Sequence, residues 1–159
     1  MPDEVTQNRS ERTDLLAIQD GEVRYQLNEK TVWSFALSEL WLIAEWTNDH
    51  GPFGDDYYYV FVAGRPSRLF ESPMYSNPQI INEIGRLLGT RIEVGLANRT
   101  DFASRIIWPK ELEGRPFFDF SKVSRGTGLW NRLKDHWKPL VHAELTEEVL
   151  QYTKMRVGY

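Results

Sequence analysis

Hydrophobic and polar positions alternate with a period of two in two successive runs between residues 22 and 37. Glu22–Leu27 puts Val23, Tyr25 and Leu27 on one face and Arg24 and Gln26 on the other, the signature of a half-exposed strand. Leu15, Leu16 and Ile18 begin an ordered segment before it, and Asn28-Glu29-Lys30 makes the turn after it. Thr31–Leu37 alternates again, with Trp33, Phe35 and Leu37 sharing a face, before Ser38 and Glu39 bend the chain. From Leu40 to Trp46 the run is apolar on both faces, as expected of a central strand covered on both sides or one crossed by a helix. Tyr57–Ala63 has the same character, and the turn-rich connection between the two runs predicts an antiparallel hairpin over residues 41–63.

Gly64-Arg-Pro-Ser67 then turns the chain into a short strand, Arg68–Glu71, stopped by Ser72 and Pro73. The clearest helix follows. Asn77 serves as N-cap, Pro78 takes the first helical position, Ile80, Ile81, Ile84, Leu87 and Leu88 form one stripe, and Gly89 closes it. That period assigns the whole stripe to burial. Arg91–Gly95 and Phe102–Trp108 read as two more strands around the turn at Asn98–Asp101, and Phe117–Phe120 as a short one. Leu129, Trp130, Leu133, Trp137, Leu140 and Val141 keep a helical spacing that Pro139 interrupts. A last helix starts at Thr146, with its hydroxyl as cap and Glu147 and Glu148 at the positive end of the helix dipole. Residues 1–12 are polar, charged and without period, and read as a mobile tail.

This order predicts a single α+β domain over residues 13–159, built on a mainly antiparallel curved sheet or partly closed barrel, with one interior helix and a C-terminal helical region. In element order alone it loosely resembles a pleckstrin-homology-like barrel with a terminal helix, the interior helix being a departure. A length of 159 residues with 41% hydrophobic content suits one core. No cysteine is present, which removes disulfides, thiolate zinc sites and a cysteine nucleophile together. The N-terminal run is polar and no stretch is apolar enough to span a bilayer, so the expectation is a soluble, cytoplasmic protein without a membrane partner. The net charge of −4 argues against nucleic acid, whose phosphates need a basic face. The charge is nevertheless uneven: residues 41–56 hold four acids and no Lys or Arg, whereas residues 121–138 hold five bases against Asp135.

Chemistry-bearing residues concentrate at the hairpin connection. Asp49, His50, Asp55 and Asp56 fall together there, and Glu45 with Asp49, His50 and Asp56 includes donor types that Mg²⁺, Mn²⁺ or Zn²⁺ accept. The spacing matches no calcium or zinc motif, and a carboxylate-hairpin nuclease would need a Lys soon after Asp56, where none occurs before Lys110. The three histidines, His50, His136 and His142, come with no nucleophile elbow. Arg125-Gly-Thr-Gly128 lacks the longer phosphate-loop spacing, and the bases interleaved with Trp130 and Trp137 read as the wet side of a packed helix.

The resulting expectation is a non-catalytic protein-binding or regulatory module, with an antitoxin or immunity-type neutralising protein as one example of that character. Trp46, Asp49, His50, Phe53, Asp55, Asp56 and Tyr58 are its candidate contact residues, its partner is a protein, preferably basic, and neither metal nor cofactor is expected. Two alternatives remain: a metal-dependent hydrolase using the acidic loop, and a barrel holding a small apolar ligand.

Overall fold

The computed structural model describes residues 13–50, 56–123, 128–129 and 140–156, and these form nine strands and two α-helices. The expected tail at residues 1–12, the centre of the acidic loop, residues 125–127 of the glycine-rich segment and most of the helix expected after Leu129 lie outside the described residues.

The first three strands, β1 (Asp14–Gln19), β2 (Glu22–Leu27) and β3 (Lys30–Ala36), form an antiparallel meander. Tight turns join them. Asp20 and Gly21 take φ of 52° and 78°, and Asn28 and Glu29 take 49° and 67°, the left-handed pair whose twist matches a two-residue hairpin. A 3₁₀ turn at Leu37–Glu39 realises the bend expected at Ser38 and Glu39 and leads into β4 (Leu40–Thr47). The second sheet has the order β6-β5-β4-β7, all antiparallel, with β5 at Tyr57–Ala63, β6 at Arg68–Pro73 and β7 at Ala103–Trp108. A third, two-stranded sheet pairs β8 (Phe118–Val123) with β9 (Leu140–Leu145). The architecture is therefore α+β and mainly antiparallel, divided among three sheets that do not close into a barrel.

The four-stranded sheet is the middle layer. On one face Ile43, Tyr59 and Phe61 meet Leu16, Val23 and Phe35 of the meander together with Ile80, Ile81 and Ile84 of α1 (Ile80–Leu88). On the other face Leu42, Ala44, Val60, Val62 and Ile106 meet Phe117 and the Val149 and Tyr152 side chains of α2 (Glu147–Arg156). This double cover explains why β4 and β5 carry apolar residues at nearly every position. Rings fill the space between the first two sheets: Trp33, Phe35, Phe61 and Phe70 lie with centroids 5.0 to 6.0 Å apart.

Several local expectations are corrected. Arg91–Gly95 is not a strand. Ile92 and Leu96 are buried, but the backbone between them bonds to side chains: the Gly95 N–H donates to Glu45 and the Glu93 carbonyl accepts from Arg105. Leu140 and Val141 belong to β9 and not to a helix, because residues 140–145 find a complete set of partners on β8. Thr146 does not cap α2 with its hydroxyl, which donates instead to the Pro116 carbonyl at 3.1 Å. The α1 stripe is not wholly buried either: Asn77 caps the turn before the helix through a bond from Gln79 N–H, and Gly89 ends it at φ 69°, but Leu87 is 62% exposed.

Candidate functional site: the open end of the β4–β5 hairpin

The expected hairpin forms, and its register sets Trp46 opposite Tyr58 and Thr47 opposite Tyr57. Its loop is closed by a bond from the Asn48 N–H to the Asp56 carbonyl at 3.0 Å. Asn48 is buried, and its Oδ1 accepts the His50 N–H at 2.9 Å, an Asx arrangement that fixes how the chain leaves the strand. Asp49 and His50 emerge exposed, with His50 Nε2 3.8 Å from Asp49 Oδ1, and Asp56 is half-buried where the chain re-enters β5. Phe53 and Asp55 lie outside the described residues.

Below the loop, Trp46 and Tyr58 stack with centroids 4.9 Å apart and planes 16° apart. Phe118 approaches Trp46 edge-on at 5.9 Å, and Phe120 lies at 6.4 Å. The Trp46 indole N–H donates to Glu71 Oε2 at 2.9 Å. Desolvation against these rings pushes the Glu71 carboxyl up, and the bond from Trp46 partly offsets it. The two stem rings are thus half-buried cement between the central sheet and β8, not projecting anchors at the tip. Of the candidates named from the sequence, Asp49, His50 and Asp56 meet at the loop and Trp46 and Tyr58 brace it.

Glu45 belongs elsewhere. It is wholly buried on the opposite face of β4, where it accepts bonds from the Tyr57 hydroxyl and the Gly95 N–H and lies 3.5 Å from Arg105 Nη1. Arg105 is its cross-strand neighbour on β7 and also reaches Glu113 at 3.5 Å. Burial, followed by the nearby Glu45 charge, pushes the Tyr59 hydroxyl up to about 12, and Tyr57 higher still. With its oxygens engaged inside the core, Glu45 cannot complete a metal site at the loop, so the ligand set expected of a hydrolase loses one member. Among the described residues no group of three or more His, Asp or Glu is arranged to hold a metal ion. A lone carboxylate in an otherwise apolar central strand was the available signal, since such a group must be buried with partners. Which donors would come to it was invisible, because Gly95 and Arg105 are distant in sequence.

His142 on β9 faces Glu144 at 3.1 Å, an exposed pair remote in sequence from the loop. No described helix is long and apolar enough to cross a membrane. No protein-family model, curated protein or solved structure matches the chain.

Proposed function

We propose that the protein is a non-catalytic protein-binding or regulatory module whose contact end is the β4–β5 loop. The observation that carries this reading is the pairing of an exposed Asp49–His50 tip with a stem stiffened by the Trp46–Tyr58 stack and the Asn48 bonds. A rigid stem lowers the ordering cost of binding, and carboxylates at the tip steer a basic partner. The net charge of −4 supports a protein partner over nucleic acid. A neutralising protein of the antitoxin or immunity type would have this character.

The test is a pull-down from the source cell with the wild-type chain and with the triple variant Asp49→Asn, Asp55→Asn, Asp56→Asn as baits, both checked by circular dichroism. A protein retained by the wild type at low salt and lost from the folded triple variant supports the reading. Equal retention by both baits rejects it.

A further inference from the structure

A strand at the margin of a sheet presents N–H and C=O groups that lack a ladder, and proteins cover or blunt such margins to prevent pairing with another chain. Most margins here are spent. On β1 the Leu16 carbonyl accepts from the Asn77 side chain, on β6 the Glu71 carbonyl accepts from the Trp33 indole, and on β7 Ile106 bonds both ways to Gly114 and Arg115. β3 is interrupted at Val32, an extra residue between Thr31 and Trp33, whose partners Gln26 and Tyr25 are adjacent. β8 starts against Ser104, whose hydroxyl accepts the Phe118 N–H and donates to the Phe118 carbonyl. β9 is different: among the described residues its backbone has a regular ladder to β8 and no partner on the other side. The bond from the Thr146 N–H to the Phe117 carbonyl fixes the phase of that ladder, so His142 and Glu144 bond to β8 while Val141, Ala143 and Leu145 turn their backbone groups outward.

We propose that a second copy of the chain pairs with this edge, β9 against β9, antiparallel about a two-fold axis through Ala143. The strand is self-complementary in that register. Val141 meets the second copy's Leu145 and Ala143 meets its own equivalent, so the outward backbone groups satisfy one another through about six bonds. Between them His142 meets the second copy's Glu144, twice by symmetry, in the closer spacing of a non-hydrogen-bonded pair. Registers centred on His142 or on Glu144 would instead set like against like. Charge on the existing hairpin favours the same meeting: Asp119 lies directly opposite Glu144, two like charges abreast, and His142 of the same strand stands 3.1 Å from Glu144. Pairing brings a second imidazole to each Glu144. His142, Ala143 and Glu144 are all exposed, and the product is a four-stranded sheet in place of a two-stranded ribbon, which is marginal alone. One strand pair is a small interface, so the dimer is weak and depends on concentration. None of these residues belongs to the β4–β5 loop, and the proposal stands apart from the loop reading.

Sedimentation velocity over a micromolar to millimolar concentration series tests it, with backbone amide exchange as the structural readout. The wild type should dimerise reversibly, and the Val141, Ala143 and Leu145 amides should exchange about tenfold or more slowly in concentrated than in dilute protein. Ala143→Pro should abolish the dimer while circular dichroism shows the monomer still folded, because the N–H it removes is one that β8 does not use. His142→Glu should weaken dimerisation about tenfold by setting glutamate against glutamate at two symmetric places, and the swap of His142→Glu with Glu144→His should restore it. Those two variants carry the test should Ala143→Pro fail to fold. A wild type that stays monomeric through the series overturns the proposal. So does a dimer that survives in folded Ala143→Pro, or a swap variant that pairs no better than His142→Glu.

Discussion

Glu45 shows what one side chain decides. It lies buried beside Tyr57 and Tyr59, and both tyrosines resist ionisation, first because burial desolvates their hydroxyls and then because the Glu45 carboxylate is close. The sign of the resulting pH dependence follows from linkage. The native tyrosines keep their protons above pH 10, the ordinary value, whereas the unfolded chain releases them, so stability is full below that pH and falls as pH rises. For Tyr59 the loss continues to about pH 12. Each tyrosine contributes a slope of about 1.4 kcal/mol per pH unit. Urea midpoints measured across this alkaline range should show that fall, and Tyr57→Phe should reduce its steepness by about half. An unchanged slope in Tyr57→Phe would mean that the buried pair is not the source.

Among the elements, α1 offers a case where local propensity and packing disagree about a sign. Ala is intrinsically better than Gly inside a helix by about 1 kcal/mol. Gly85, however, is buried, and a Cβ there would lie 2.7 Å from the Thr90 carbonyl oxygen, which is backbone and cannot swing aside. The Thr90 N–H also donates to the Gly85 carbonyl at 2.9 Å, so the two segments are held together from both sides. Gly85→Ala should therefore destabilise the fold, by about 1 to 3 kcal/mol as overpacked sites do, and a chemical melt gives the answer directly. A gain in stability would show that the chain after Gly89 yields easily. The same helix explains the exposed Leu87: the period that predicts an apolar stripe does not say how wide a stripe the neighbouring sheet covers.

For the molecule as a whole, the central sheet is shared by two apolar clusters, one against the meander and α1, the other against Phe117 and α2. Neither outer layer can leave without exposing the same strands, β4 and β5. Unfolding should accordingly be one cooperative transition, seen identically by tryptophan fluorescence and far-ultraviolet circular dichroism. Phe61→Ala and Phe117→Ala, both at fully buried positions on opposite faces, should each cost about 3 to 5 kcal/mol and move that single transition. Two separated transitions, each sensitive to only one of the variants, would divide the chain into independent units.

Much of this architecture was readable from residue order alone. Alternation placed β2 and β3, apolar character on both faces marked β4 and β5 as central, and the Asn77 and Gly89 signals bracketed α1 to within a turn, because each depends on groups a few residues apart. The clustering of Asp49, His50 and Asp56 at the hairpin end follows from the same local pattern. Tertiary structure alone decided the rest. Residues 91–95 alternate yet form no strand, since their amide and carbonyl partners are the side chains of Glu45 and Arg105. Leu140 and Val141 keep a helical spacing yet pair with β8, where a ladder partner was available. Glu45 turned inward and Trp46 outward by the alternation of one strand, but whether those faces met water, a loop amide or a stacked ring depended on chain segments far away in sequence, and no local period encodes such a meeting.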